Sequence, residues 1–335
     1  MVRSFRILVA LVIIITSYCS FDVSQGGGGG NNQLRVGFYG GSCPNAEAII
    51  RGVVSEAAAS DPNNAPILLR LHFHDCFVEG CDGSILIDNR SETDERRAFG
   101  HQGVRGFDII DKAKAQLEGV CPGVVSCADI VAMAARDAVF LAKGPWYEVE
   151  TGRRDGMVSN IRLADNMPDV GDSIHKLKAK FFEKGLTDKD LVLLSSAHTI
   201  GTTACFFMND RLYHFPAGIG GADPSINPSF MPELKNTCPE KGDVNARIPI
   251  DHGSEKTFDN QILQNIRSGF AVLQSDARLY QDPSTRSVVD SYFGLLSPFF
   301  GPSFEADFAA SMVKMGRIGV LTGELGTIRR VCSSF

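Results

Sequence analysis

Between positions 70 and 76, Arg70, His72, His74, Asp75 and Cys76 bring a guanidinium, two imidazoles, a carboxylate and a sulfur together. On a helix, Arg70 and His74 are four residues apart and share a face, so they can act together, whereas His72 points elsewhere. The bland reading is a structural arginine and a satisfied histidine. A second chemistry is a zinc centre built from His72, His74 and Asp75, as in a secreted hydrolase. Zinc ligands on a helix usually stand at i, i+4, and Cys76 is more plausibly oxidised, so zinc ranks lower.

Another histidine, His198, stands near the end of an apolar helical pattern that closes in Gly201. Alone, such a residue reads as a core histidine. Two separate helices with one inward histidine each are, however, what a flat metal macrocycle between them requires, one ring on the metal and the other held back. The elements that must position them are helical: apolar periodicity marks 46–60, 66–78, 107–119, 127–142, 172–184, 188–200, 258–268 and 304–316. Thr187 and Asp190 form a capping box that opens the segment carrying His198. Strand-like alternation is scarce, and 216–239 reads as a long irregular connection. The expectation is a mostly α protein whose halves, 33–170 and 171–335, each carry one histidine and are joined by a ligand between them.

With 335 residues, 44% of them hydrophobic, the chain can bury a full core. A net charge of -6 without a basic run removes the basis for nucleic-acid binding. Arg3 and Arg6 precede a nine-residue apolar stretch at 7–15 and small or polar residues, the pattern of a secretory signal peptide over 1–25 with cleavage between 20 and 32. That stretch is too short for a membrane span, which needs about 20 apolar residues. Residues 26–32 read as a flexible Gly/Asn tether. Cleavage removes Cys19 and leaves eight cysteines, enough for four disulfides among 105 connectivities. With only three residues beyond Cys332, the expected destination is the extracellular space, apoplast or cell wall.

Six motifs occur in order: Arg70 to Phe77 with Gly80-Cys81-Asp82-Gly83-Ser84; Val125-Ser126-Cys127-Ala128-Asp129; Gly152-Arg153-Arg154-Asp155-Gly156; Ser196-Ala197-His198-Thr199-Ile200-Gly201; Thr257-Phe258-Asp259-Asn260; and Leu273-Gln274-Ser275-Asp276. Together they resemble the secretory class III plant peroxidases over roughly 33–335. The resemblance implies an all-α fold with haem b between two halves, two structural calcium ions, four disulfides, and oxidation of phenolic reductants by hydrogen peroxide. Lignification, wall cross-linking, peroxide removal and stress response are the roles it carries, and a monomer is the state expected. Its rival in function is a haem- and calcium-binding wall protein with an impaired distal site.

Carried over by residue, the resemblance makes His198 the iron ligand and Asp276 its carboxylate partner. His74 becomes the base that moves the peroxide proton, Arg70 the stabiliser of developing charge, and Phe73 a wall of the distal pocket. Asp75, Asp82 and Ser84, with the carbonyls of Val78 and Gly80, resemble one calcium loop; Thr199, Asp251, Ser254, Thr257 and Asp259 resemble the other, suiting a hard cation. The implied disulfides are Cys43 to Cys121, Cys76 to Cys81, Cys127 to Cys332 and Cys205 to Cys238, and Asp129 with Arg153 resembles a structural ion pair. Pro168, with Phe99 and Phe207, would edge the donor site. Three departures stand out: Ser254-Glu255 replaces the usual Thr-Pro, Met167-Pro168-Asp169-Val170 departs from Leu-Pro-x-Pro, and no Asn precedes Arg105-Gly106-Phe107. His101 aligns best with that Asn, Gln102 being the alternative. An imidazole there, with an unperturbed pKa of ~6.5, would make peroxide activation sensitive to mild acid. Asn89 heads the one acceptable glycosylation sequon.

Overall fold

The structure is a computed structural model that describes residues 34–216, 221–294 and 301–334. The signal peptide and tether expected over 1–32 lie outside the described residues. Residues 33–335 form one compact unit. Its core is built around a helix buried over nearly its whole length. In α4 (Cys127–Leu141) every residue from Cys127 to Val139 is buried: the apolar run Ile130 to Ala135 drives it inside, and its charged residues are paired there, Asp129 with Arg153 and Arg136 with Asp137 and Glu47. Ser126 starts it by accepting the Asp129 N–H at 3.1 Å. Around it pack α1 (Ala46–Ser60), α2 (Asn64–Cys76) and α3 (Phe107–Val120).

A second group comprises α5 (Ile174–Glu183), α6 (Asp188–Ser195), α9 (Gln261–Ser268), α10 (Gln274–Arg278), α11 (Pro283–Ser291) and α12 (Phe304–Met315). The Thr187/Asp190 capping box is formed, and Asp190 also accepts from Ser311 at 2.9 Å and from Lys314, which ties α6 to α12. A smaller apolar cluster forms around α7 (Asn209–Tyr213) and α8 (Met231–Thr237). Among the described residues, strands form two antiparallel pairs, β1 (Arg35–Val36) with β2 (Glu150–Thr151) and β3 (Thr202–Ala204) with β4 (Arg247–Pro249). Among the described residues no helix is long and apolar enough to cross a membrane.

The mostly α expectation holds, with three local corrections. The helix expected over 188–200 ends at Ser195, and Ser196–Thr199 tightens into a 3-10 turn. There Ser196 Oγ bonds the Val192 carbonyl at 2.7 Å, competing with the helical ladder. The segment 216–239 contains α8, which periodicity missed because it has seven residues and a proline in its first turn. Expected starts at 172 and 258 move inward, to Ile174 behind the Ser173 cap and to Gln261.

Cysteines pair as 43–121, 76–81, 127–332 and 205–238, with Cα separations of 5.8, 4.0, 5.7 and 5.2 Å. The Cys76–Cys81 bridge pins the end of α2 to the following loop. That loop approaches Gly319 so closely that a Cβ on Gly80, whose φ is +149°, would lie 2.5 Å from the Gly319 carbonyl oxygen.

Asp129 is the polar anchor of α4. It takes the Arg153 guanidinium at 2.7 Å, the Tyr39 hydroxyl at 2.7 Å and the Gly152 amide at 2.7 Å, all out of water. Arg153 in turn reaches the Gly316 and Glu150 carbonyls. Asp129→Ala would leave a buried cation and hydroxyl unpaired, so stability should drop by ~3–5 kcal/mol. A urea titration checks this as a lower midpoint at unchanged slope.

Candidate active site

The last two turns of α2 present Arg70, Phe73 and His74 to a cavity of about 690 Å³. His198 lines the same cavity from the turn after α6. The two histidines, 124 positions apart, thus face one space, as the macrocycle reading requires. His72, two positions before His74 and on another face of the helix, does not join them. It is buried against the Cys76 sulfur, Nδ1 to Sγ 3.5 Å, and burial followed by the Arg153 charge pushes its pKa down to about 3. The zinc set His72, His74 and Asp75 is therefore not assembled; His72 groups with Cys76 and Cys81, whose sulfurs form a disulfide and offer no thiolate.

His74 is held by a second ring. Its Nδ1 lies 2.8 Å from His101 Nδ1. One ring must donate; with His74 donating, its Nε2 keeps a lone pair and His101 carries its own proton on Nε2, 3.7 Å from Glu95 Oε1. His101 thus occupies the partner position, and Gln102 contributes its backbone carbonyl to Arg70 Nη2 at 3.3 Å instead. His101 is fixed by the 3-10 turn Phe99–His101 and is buried. Burial, the Arg70 charge and His101 push the His74 pKa well below the imidazole range, so the ring is neutral. Burial and then Arg70 bring His101 to about 4. Acid sensitivity from this ring therefore belongs near pH 4, below the window that its unperturbed value suggests. Burial pushes Glu95 up to about 8.

His198 is arranged the opposite way. Its Nδ1 lies 3.0 and 3.1 Å from the two oxygens of Asp276, a fully buried residue of α10. Burial alone would lower the His198 pKa, but the charge and hydrogen bond of Asp276 outweigh it and the net shift is upward. With Nδ1 engaged, Nε2 is the atom left for a ligand in the cavity.

Each histidine is followed by one residue of an oxygen-rich cluster. After His74, Asp75 is buried; its Oδ2 accepts the Gly83 amide at 3.0 Å, while Oδ1 has no donor. Burial, with the Asp82 and Glu95 charges, raises its pKa well above the usual carboxylate range. Asp82 caps Ser84 N at 2.9 Å, the Gly80 carbonyl bonds Asp82 N at 2.8 Å, and the Val78 carbonyl takes the Lys184 ammonium. After His198, Thr199 Oγ1 lies 3.0 Å from Asp251, 3.4 Å from Asp259 and 3.5 Å from the Thr257 carbonyl, and Ser254 Oγ bonds the same two carboxylates at 2.7 and 3.1 Å. Burial, offset by these hydroxyls, leaves Asp251 at about 6.

Pro168, Phe99 and Phe207 all line the cavity. Asn89 is exposed on a loop, where a glycan has room. Sequence reasoning missed three residues: Glu95, behind His101; Asn265, which holds Asp251 through Nδ2 at 2.6 Å; and Arg247, at the cavity edge. None has a motif of its own, although a Glu six residues before His101 was there to be read.

The chain matches the sequence profile of the family described as Peroxidase over residues 50–294. It is 67% identical to "Peroxidase 43" of Arabidopsis thaliana and 57% to "Peroxidase 13" of the same plant, in each case across 90% of this chain and 92% of the relative. It is 48% identical to "Peroxidase N1" of Nicotiana tabacum, across 90% of each.

Since the Arg70 charge lowers the His101 pKa, Arg70→Gln should raise it above about 4. Nuclear magnetic resonance titration of the imidazole signals checks this; an unmoved midpoint would mean that burial alone sets the value.

Proposed function

Because this chain belongs to the peroxidase family, in its class III plant branch, and is an enzyme that couples hydrogen peroxide to a reductant, we propose that it is a secreted protein that binds one haem b and two calcium ions and oxidises phenolic donors one electron at a time. The observation that carries this reading is one cavity with a histidine on either side, each with Nδ1 already tied. A volume of about 690 Å³ suits a flat cofactor, being in the usual range for such sites of about 300–1,000 Å³. His198 Nε2 would hold the iron, and haem, when bound, supplies the electrons that split peroxide and afterwards accepts them from the donor.

The chain's own residues do the rest. His74 takes a proton at Nε2 from one peroxide oxygen and returns it to the departing one, so that water leaves. Its low pKa keeps Nε2 open to receive that proton. Arg70, fixed through Gln102, meets the negative charge that develops between these transfers. His101 is the positioning residue that keeps the His74 proton on Nδ1. Asp276 makes His198 a stronger electron donor by accepting a hydrogen bond from its Nδ1–H. Pro168 and the neighbouring aromatic rings offer an apolar edge to a phenolic ring. Secretion is supported by four disulfides and by the leader-like start of the sequence.

The residues fit calcium as well. Asp75 Oδ1, buried without a donor, is an oxygen that a cation would satisfy, and Asp251 with Asp259 would share another cation with Thr199, Ser254 and the Thr257 carbonyl.

Two outcomes follow. His198→Ala should lose or misligate haem, seen in the visible spectrum, whereas His74→Ala should retain haem and lose peroxide reactivity by at least ~10² to 10⁴ in stopped-flow traces; a wild-type rate in His74→Ala would refute the mechanism. Chelation should lower the thermal midpoint and activity together, with both restored by calcium, and metal analysis showing active protein free of calcium would end that part of the reading.

A further inference from the structure

Three arginines open onto the cavity: Arg70, Arg105 and Arg247. Among the described residues none has a carboxylate within ion-pair distance. The two acids that also line the cavity are engaged in their own turns, Asp61 with Asn63 at 2.9 and 2.8 Å and Asp169 with Gly171 N at 2.7 Å. The three positive charges therefore act on one another. The Arg247 pKa is lowered by burial and then by Arg105, and Arg70 is brought to about 10 by burial and then by Arg247. An uncompensated cationic rim on a cofactor-sized cavity is an arrangement that an anion relieves.

Arg70 already has a place beside His74, but Arg105 and Arg247 have none. Arg247 stands at the first position of β4, opposite Ala204 of β3, the strand that begins four residues after His198. Thr202 holds its fork still, accepting Nε through Oγ1 at 3.0 Å and Nη2 through its carbonyl at 2.5 Å. Three of the five guanidinium N–H groups remain, on a planar group whose orientation is set, and that geometry matches the two oxygens of a carboxylate. Phe99 and Phe207 line the same cavity, so an aromatic ring has a surface within the space that the charge commands.

We propose that Arg247, assisted by Arg105, forms a carboxylate subsite at the rim of the cavity, filled by a propionate of the bound cofactor or by the carboxylate of an acidic aromatic donor. The inference rests on the peroxidase reading and adds a ligand class to it. Arg247 is an exposed side chain on a short strand, so its replacement by Gln leaves the core packing untouched.

The test has two arms, each run on wild type, Arg247→Gln, Arg105→Gln, the double variant, and Arg162→Gln as a control for net charge away from the cavity. In the first, haem-free protein is titrated with haem and with its dimethyl ester, followed by quenching of Trp146 fluorescence. In the second, the haem-loaded proteins are titrated with a hydroxylated cinnamic acid and its methyl ester, followed by perturbation of the Soret band. Weakening of haem by roughly tenfold in Arg247→Gln, with the diester unaffected, assigns the subsite to the cofactor. Unchanged haem affinity with roughly tenfold weaker binding of the acid, and not of its ester, assigns it to the donor. Wild-type affinities for all four ligands in the double variant would overturn the subsite while leaving the peroxidase reading intact. Failure of the wild type itself to take up haem would overturn both, and is read before any variant is compared.

Discussion

Both cavity histidines depend on the same constraint: an imidazole can offer a defined nitrogen to a ligand only if its other nitrogen is tied. His74 is tied by His101 at 2.8 Å and His198 by Asp276 at 3.0 Å. Either ring freed of its partner could rotate or change tautomer, and the atom facing the cavity would no longer be determined. The partners differ in charge, and this gives the two sides opposite chemistry. His101 is a neutral ring in a place where Arg70 resists further positive charge, so His74 is kept as a base. Asp276 is a carboxylate, so His198 is made richer in electrons.

Those two contacts require that four chain segments be held in register, and the fold supplies this through rigid local anchors. The Cys76–Cys81 bridge fixes the end of α2 immediately after His74. The capping box of Thr187 and Asp190, reinforced by Ser311 and Lys314, fixes α6 ahead of His198. Asp75 and Thr199 follow the two histidines directly and belong to oxygen-rich clusters, so whatever fills those clusters is coupled mechanically to the rings. Burial and the Asp82 and Glu95 charges raise the Asp75 pKa well above the usual carboxylate range, and that is the desolvation cost which the proposed cation would relieve.

The electrostatics of the cavity are lopsided in a way that the pairwise contacts do not reveal. Beyond the effect of burial, Arg247 lowers the Arg70 pKa and Arg105 that of Arg247, and the acids nearby are committed to their own turns. A site that must bind peroxide, stabilise a developing anion and admit a reductant gains from positive potential. The same potential would select among reductants by charge, and it is carried by a residue on β4 that has no part in handling protons.

What the sequence determined by itself was local. The four-residue spacing of Arg70 and His74, the out-of-phase His72, the capping box and the apolar periodicity of 127–142 follow from helix geometry within a few neighbours, and most helix positions could be read from such patterns. Cysteine number pointed to disulfides, which the fold forms, and the ordered motifs identified the family. Other pairings were implied in the sequence only by the resemblance and owe their geometry to tertiary structure, because they join residues that no period connects. His101 meets His74 across 27 positions and Asp276 meets His198 across 78. The choice of the His101 ring over Gln102 is a difference of one residue that only the 3-10 turn at Phe99–His101 decides. The downward shift of His101, the strain on Asp75 and the isolation of Arg247 arise from burial and from charges brought close by folding, and a desolvation cost has no signature along a linear chain.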